Sequence, residues 1–257
     1  MRWKFIQASV AGTSHSENGR GCEDECLAEI LSAPDGEEIF VGLIADGAGS
    51  AKRGGTGARI ACESGIADIE GWIKGAGSFS GINPAVVTDW VGGMLNKINE
   101  TADSESLTPR DYACTLLGSV IGTESSVFFQ VGDGCIVIND GSGFVPMFWP
   151  DSGEYANMSY FITDEDAMSH LRIRVCPSAL DELAIFSDGL QRLALVYESK
   201  SAYNPFFQPM FSVLRKTAPD GLDSLSNQLA KFLNSPKVNE RTDDDKSLIL
   251  ATRRPAE

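Results

Sequence analysis

Apolar runs typical of β-strands recur along most of the chain. They are Trp3–Val10, Ile39–Ala45, Thr115–Gly122, Val127–Val131, Ile136–Ile138, Leu183–Phe186 and Leu248–Ala251. Several of these runs are rich in β-branched or aromatic residues and end at Gly, Asp or Asn, as strands commonly do. The run Ile39–Ala45 carries no polar side chain, which predicts a strand that lies in a buried sheet.

Three other segments show the 3.6-residue spacing of apolar side chains that is typical of amphipathic helices. They run from Ala58 to Ile73, from Pro84 to Thr101 and from Leu222 to Leu233. A stretch rich in Gly and Ser (75–81) separates the first two and is typical of a loop. We therefore expect these two helices to pack as an antiparallel pair.

The order of the elements favours an α+β fold. Strands come first, followed by two helices, more strands, one further helix and a last strand. This order indicates layers of sheet and helix rather than alternating βαβ units. Residues 150–174 are polar and irregular, and a loop of this length is uncommon unless it is functional. We predict a single domain over residues 1–257 with a flap at 150–174.

The charge balance narrows the range of partners. The 257 residues include 36 Asp and Glu against 21 Lys and Arg, which gives a formal net charge of −15. Clusters of Lys and Arg hold a phosphate backbone, so nucleic acid is not expected as a partner. We find no basic amphipathic stretch, signal peptide or apolar run of about 20 residues, so we expect no membrane partner and a cytoplasmic protein.

Histidine and cysteine usage points to chemistry performed by carboxylates. The chain has two histidines, and its six cysteines contain no CxxC pair. Histidine-rich zinc sites are therefore excluded, and no cysteine pair with zinc-site spacing is present. A Ser or Cys nucleophile is poorly supported as well, because two histidines leave few candidates for its base.

Five acidic motifs stand at or beside predicted strand ends. They are Cys22-Glu23-Asp24, Ala45-Asp46-Gly47, Gly132-Asp133-Gly134, Ser187-Asp188-Gly189 and Asp243-Asp244-Asp245. Each motif alone has a plain structural explanation, since Asp-Gly is a common turn dipeptide and Asp often caps a helix. Taken together they form a pattern, because three of the aspartates follow apolar runs and one precedes such a run. If those strands are neighbours in one sheet region, the carboxylates converge.

Converging carboxylates call for a cation. Two carboxylates about 4 Å apart repel each other by roughly 4 kcal/mol at an effective dielectric constant near 20. Ligands that are all oxygen favour a hard ion, so Mg²⁺ or Mn²⁺ is the expected occupant. Two such ions bridged by one carboxylate can activate a water molecule and hold a phosphoryl group for in-line displacement. The residues therefore indicate metal-assisted hydrolysis of a phosphoester.

Other ion and phosphate motifs fail on these residues. An EF-hand calcium loop starting at Asp243 would need Gly at its sixth position and Glu at its twelfth, where the chain has Leu248 and Arg254. The glycines at Gly47 and Gly49 continue as Ser-Ala-Lys, which is neither a phosphate-binding loop nor a dinucleotide-binding motif.

The ordered set of motifs resembles the type 2C metal-dependent serine/threonine protein phosphatases, over roughly residues 5–252. The last motif in that set is Asp244-Asp245-Lys246-Ser247 followed by Leu-Ile-Leu. Each motif alone is weak, whereas five in the right order are specific. The resemblance implies a four-layer αββα sandwich, in which helix pairs flank two antiparallel sheets. It also implies a site for two Mg²⁺ or Mn²⁺ ions at one edge, with a third, weaker ion.

The resemblance assigns the metal ligands by position. Asp46 would bridge both ions, the Gly47 carbonyl would bind one of them, and Asp188 and Asp244 would bind the other. The remaining acidic positions would act around the ions, namely Asp133 at the third metal and Glu23 and Asp24 on metal-bound waters.

Arg20 matches the arginine that grips the substrate phosphate, and a planar guanidinium suits bidentate binding of phosphate. A solvated loop arginine is the alternative for this residue. Many eukaryotic members carry a histidine directly after the Asp-Gly, where this chain has Ala48. The pattern around His15 resembles a compact bacterial subgroup instead. We expect His15 near the site, aiding phosphate binding or proton transfer, and a purely structural histidine is the alternative.

The function implied is hydrolysis of phosphoserine and phosphothreonine in proteins. The partners would be phosphoproteins and a cognate protein kinase or its substrates, and we expect a monomer. The flap, including Gly153–Asn157, is expected to tune which phosphoprotein is accepted. Two alternatives are a catalytically silent module that binds phosphoproteins or a kinase, and a phosphatase for small phosphoesters. Retention of Asp46, Asp188 and Asp244 argues against the silent module.

Overall fold

The computed structural model of the protein describes residues 2–17, 19–76, 78–150, 159–177 and 180–255. Its centre consists of two five-stranded antiparallel sheets. The first sheet has the order β1-β12-β9-β6-β7, and its strands are β1 (Lys4–Val10), β6 (Cys135–Asn139), β7 (Phe144–Pro146), β9 (Glu182–Phe186) and β12 (Lys246–Thr252). The second sheet has the order β2-β3-β4-β5-β8, and its strands are β2 (Asp24–Ser32), β3 (Glu38–Asp46), β4 (Leu116–Ile121), β5 (Ser126–Val131) and β8 (Arg172–Cys176).

Helices cover the outer faces of both sheets. The long helices are α2 (Gly54–Ala76), α3 (Pro84–Ser104), α6 (Asn204–Lys216) and α7 (Leu222–Leu233). Short helices are α1 (Thr13–Glu17), α4 (Ala167–His170), α5 (Gln191–Ala194) and α8 (Pro236–Asn239), and a two-stranded ladder joins β10 (Leu195–Val196) to β11 (Ser201–Ala202). Among the described residues, no helix has the length and apolarity required to cross a membrane.

Strand β3 shows why the sheets are buried on both faces. Its alternate side chains Ile39, Val41 and Leu43 pack in one apolar core with α2 and α3, while Phe40 and Ile44 pack in a second core against the facing sheet. A third core lies between the first sheet and helices α6 and α7. Successive side chains of a strand point to opposite faces, so a strand between two apolar layers needs apolar residues throughout. The four layers confirm the α+β class and the predicted αββα sandwich.

Most predicted elements are present with small shifts of their ends. Helix α2 begins at Gly54, four residues before the predicted start, and helix α7 has the predicted bounds. Sequence patterns missed the strands β2 and β8 and the helix α6. Arg172 is the first residue of β8, so the last residues of the predicted flap are part of the second sheet. Residues 151–158 of that flap, and with them Gly153–Asn157, lie outside the described residues.

Candidate active site

Antiparallel pairing brings the predicted acidic residues to one end of the molecule. In the second sheet, Asp46 is the last residue of β3 and lies opposite Asp24, the first residue of β2. Thr115 precedes β4, donates its amide to the Asp46 carbonyl (2.8 Å) and accepts the Asp46 amide on Oγ1 (3.0 Å). The backbone of Asp46 is therefore fixed from both sides.

The first sheet supplies the other aspartates from the same end. Phe186, the last residue of β9, lies opposite Cys135 at the start of β6 and opposite Leu248 near the start of β12. Asp133, Asp188 and Asp244 stand just beyond those three strand ends. The sequence interpretation requires neighbouring strands in one sheet region. The structure instead gathers the carboxylates from the facing ends of two stacked sheets.

A cavity of about 300 Å³ lies at this end. Its lining contains five of the predicted site residues together with six others, and the whole set is His15, Asp46, Gly47, Ala48, Gly49, Thr115, Asp133, Ser159, Phe161, Asp188 and Asp244. Asp244 is exposed to solvent on one side of the cavity. The remaining predicted residues, Asp24, Arg20 and Glu23, stand outside its lining, and Asp24, opposite Asp46, is only 7% exposed.

Burial and mutual repulsion make these carboxyl groups hard to ionise. Burial first, and then the charges of Asp24 and Asp188, raise the pKa of Asp46 well above its ordinary value. Burial, followed by repulsion from Asp133 and Asp244, raises the pKa of Asp188 to about 7. The carboxyl groups of Asp46 and Asp188 are also close enough to hydrogen bond to each other. A nearby positive charge would reverse each of these shifts.

The pKa of Asp24 is raised for the same reasons, and this side chain is almost fully buried. Burial raises its pKa to about 7, although the Ser187 hydroxyl donates to its Oδ2 at 2.7 Å. Its Oδ1 is buried without a hydrogen-bond partner, and so is Oδ1 of Asp188. Buried acceptors without partners cost free energy, and a cation or the water around it would satisfy them.

The donor set fits a hard divalent ion, because it consists of carboxylate and carbonyl oxygens. Within the described ranges, no three His, Cys, Asp or Glu side chains are already grouped to hold a metal ion. An ion held between Asp46 and Asp188 would offset the repulsion between their carboxylates. The chemistry of the donors supports a metal centre, and the ligand assignments remain predictions.

Arg20 and Glu23 form one unit at the rim of the cavity. The guanidinium donates from NH2 to both oxygens of Glu23 (2.8 Å each) and from NH1 to the carbonyl of Gly49 (3.0 Å), which lines the cavity. The side chain of Arg20 remains 39% exposed. Because the pair is held beside the cavity, the guanidinium is positioned to contact an anion that enters from solvent.

Asp245 is a site residue that sequence reasoning missed. It is 2% exposed and accepts hydrogen bonds from the amides of Gly12 (2.7 Å) and Glu23 (2.6 Å). Its Oδ2 also lies 2.9 Å from Nδ1 of His15, which reaches the cavity wall. Asp245 thus holds three segments together around the site. The triple aspartate is visible in the sequence, but the resemblance gives a role to Asp244 alone among the three.

Ser159 is a second missed residue. Its hydroxyl donates to the Asp133 carboxylate, while the side-chain amide of Gln191 donates to the Asp133 carbonyl at 2.6 Å. Asp133 is thereby fixed through both its side chain and its backbone. No local pattern marks Ser159, because its partner is 26 residues away.

The glycines after two of the aspartates are required by close packing. A Cβ atom at Gly189 would lie 2.0 Å from the carbonyl oxygen of Asp245, and one at Gly47 would lie 2.4 Å from the backbone of Gly54. Neither glycine has a positive φ. The Asp-Gly pairs are therefore places where two backbones touch, rather than the turn dipeptides considered as the alternative.

Comparison with known proteins gives a consistent family. The family model described as protein phosphatase 2C matches residues 11–234. Serine/threonine-protein phosphatase 3 of Escherichia coli (strain K12) is 39% identical over 251 residues, which cover 98% of each chain.

Solved structures show the same fold at low sequence identity. A bacterial serine phosphatase superposes with a TM-score of 0.61 at 14% identity and covers 100% of this chain and 99% of its own. The serine/threonine phosphatase Stp1 from Staphylococcus aureus gives a TM-score of 0.59 at 15% identity, with coverage of 99% and 96%. Since the family model matches most of the chain and the Escherichia coli relative matches nearly all of it, the chain belongs to the protein phosphatase 2C family of protein phosphatases.

Proposed function

We propose that this protein removes phosphate from phosphoserine and phosphothreonine in proteins, using Mg²⁺ or Mn²⁺. The observation that carries this proposal is the cavity itself, where carboxylates from two sheets meet below an arginine that faces solvent. The name of the Escherichia coli relative, a serine/threonine-protein phosphatase, supports the choice of substrate.

The metal ions would supply an activated water and neutralise the charge of the phosphoryl group. Asp46 and the Gly47 carbonyl would hold one ion, and Asp46, Asp188 and Asp244 the other. Asp133 is the residue proposed for a third, weaker ion, and Ser159 keeps its carboxylate in place. Asp24, buried opposite Asp46, would accept hydrogen bonds from water around the ions.

Arg20 would bind and orient the phosphate. Both oxygens of Glu23 fix its guanidinium through NH2, and the Gly49 carbonyl holds NH1 at the cavity. Glu23 therefore contacts Arg20 directly in this structure. The resemblance instead implies that Glu23 acts on metal-bound water.

His15, in its imidazolium form, would give its Nε2 proton to the leaving alcohol. Nδ1 of His15 lies against the buried Asp245 carboxylate. Because His15 lines the cavity, Nε2 is the ring nitrogen that would act there. A Cβ atom at Gly49 would lie 4.0 Å from this Nε2, so the ring edge lies beside the cavity lining. A carboxylate on one ring nitrogen fixes the tautomer and orientation of the ring.

The proposal is tested by activity on three classes of substrate. Purified protein with Mn²⁺ should hydrolyse p-nitrophenyl phosphate and phosphoserine peptides, with the peptides favoured over small phosphorylated metabolites. Asp46→Asn should lose activity on all of them, whereas Asp89→Asn, at an exposed position on α3, serves as a matched control with full activity. Wild-type protein that binds phosphopeptides without hydrolysing any substrate would identify a silent module. A preference for metabolites would identify a small-phosphoester phosphatase instead.

A further inference from the structure

A second groove opens directly beside the catalytic cavity. It has a volume of about 360 Å³ and is lined by Ser50, Ala51, Arg110, Ala113, Ser159, Phe161 and Asp164. Ser159 and Phe161 belong to both spaces, so the groove and the cavity are continuous. Its volume equals that of about a dozen water molecules, which leaves room for side chains that flank a phosphorylated residue.

The floor of the groove is small and apolar. Ala48, Ala51 and Ala113 form a buried cluster, and the half-buried ring of Phe161 packs against it. The amide of Phe161 donates to Oδ2 of Asp164 at 2.8 Å, which fixes the ring's backbone and uses one oxygen of that carboxylate. A rigid apolar floor next to a phosphate site suits an extended peptide chain better than it suits a small phosphoester.

Arg110 provides the positive charge of the groove, whose lining also contains the Asp164 carboxylate. It lies in a 3₁₀ turn (Pro109–Tyr112), is exposed, and makes no side-chain hydrogen bond or ion pair with any other described residue. Its two cationic neighbours are already paired, since Lys52 lies 2.9 Å from Asp111 and Arg53 lies 3.6 Å from Glu105. Arg110 is therefore the cation of this wall that remains available to a ligand.

We propose that this groove binds the segment of a phosphoprotein next to its phosphorylated residue, and that Arg110 selects substrates with an acidic side chain there. The inference rests on the proposed function, because it places the substrate chain across the same site. A chain with a net charge of −15 repels acidic partners in general. An unpaired arginine at the entrance to the site offsets that repulsion at one position.

The test compares two phosphoserine peptides that differ only in Glu or Gln within three residues of the phosphoserine, with p-nitrophenyl phosphate as a third substrate. Arg110→Gln should lower kcat/KM on the Glu peptide by about fivefold, the size expected for one exposed ion pair. The loss should fall on KM, and activity on the Gln peptide and on p-nitrophenyl phosphate should stay within about twofold of wild type. Arg110→Glu should reverse the preference in favour of a Lys-flanked peptide.

Arg2→Gln provides the matched control. Arg2 is 92% exposed and lies beside Glu38, at the opposite end of β3 from Asp46, so its loss should leave all three activities unchanged. Equal loss on the Glu and Gln peptides, or no loss on either, would overturn the role of Arg110 while leaving the proposed function intact. Wild-type protein that hydrolyses no phosphopeptide would overturn both proposals.

Discussion

Replacing Asp24 by Asn should remove a pH dependence from the stability of the metal-free protein. Asp24 is almost fully buried, with its Oδ2 bonded to Ser187 and its Oδ1 unpartnered. Burial raises its pKa from 3.8 to about 7 in the folded state. The folded protein therefore holds this proton more tightly than the unfolded chain does, and folding stability falls as the pH rises between these two values.

The size of the pH effect on stability follows from the pKa shift of Asp24. A difference of about three pKa units corresponds to about 4 kcal/mol of unfolding free energy. This stability is fully present below the unfolded pKa and is lost as the pH rises through about 7. Because the sequence pI is about 4.5, a practical window runs from about pH 5.5 to about pH 8, over which about 2 kcal/mol should be lost.

The assay is urea unfolding in the presence of a chelator at several pH values across this window. Asn carries no charge at any of them, so the stability of Asp24→Asn relative to wild type should rise by about 2 kcal/mol from the lower to the upper pH. Asp89→Asn, on the exposed face of α3, should show a constant difference from wild type. A constant difference for Asp24→Asn as well would refute the claim that burial raises the pKa of Asp24 in the folded protein.

Three further outcomes test the packing and the site. Gly189→Ala should destabilise the fold by about 3 kcal/mol or more in chemical unfolding, because its Cβ would meet a carbonyl oxygen at 2.0 Å. Its control, Gly71→Ala, lies in open space on α2 and should stabilise the fold by up to about 1 kcal/mol. Glu182→Gln should cost about 3–5 kcal/mol, because the carboxylate it removes is fully buried and balances the charge of Arg215. Asp181→Asn should cost less than about 1 kcal/mol, because the Asp181 side chain is 51% exposed. His15→Gln should lower kcat on a phosphoserine peptide by about 10²-fold and on p-nitrophenyl phosphate much less, since nitrophenolate leaves without a proton; equal losses would contradict its role as the acid.

The elements that could be predicted from the sequence are those with a strong local pattern. Strand β3 is apolar from Ile39 to Ala45 because both of its faces are buried there, and α3 begins at a proline directly after the capping residue Asn83. Strand β2 was missed because only alternate residues near its start are buried, Asp24 among them. Helix α6 was missed because Pro205 and Pro209 fall within its bounds.

The residues of the candidate site also fall into those that a local pattern reveals and those that it does not. Asp46 and Asp188 could be identified because each stands at the end of an apolar run, which a sequence shows directly. Asp245 and Ser159 could not, since their importance lies in bonds to residues 230 and 26 positions away. The convergence from two facing sheets rather than one was also beyond local patterns, because it depends on how the sheets stack.

Calorimetric titration of the chelator-treated protein with Mn²⁺ is the most direct examination of whether these carboxylates form a metal centre. We expect about two ions per chain for wild type, together with a gain of about 2.7 kcal/mol in unfolding free energy at 100 times the dissociation constant. Asp46→Asn should lose most of both effects. Absence of Mn²⁺ binding to the folded wild-type protein, or equal stoichiometry and affinity in Asp46→Asn, would contradict the assignment.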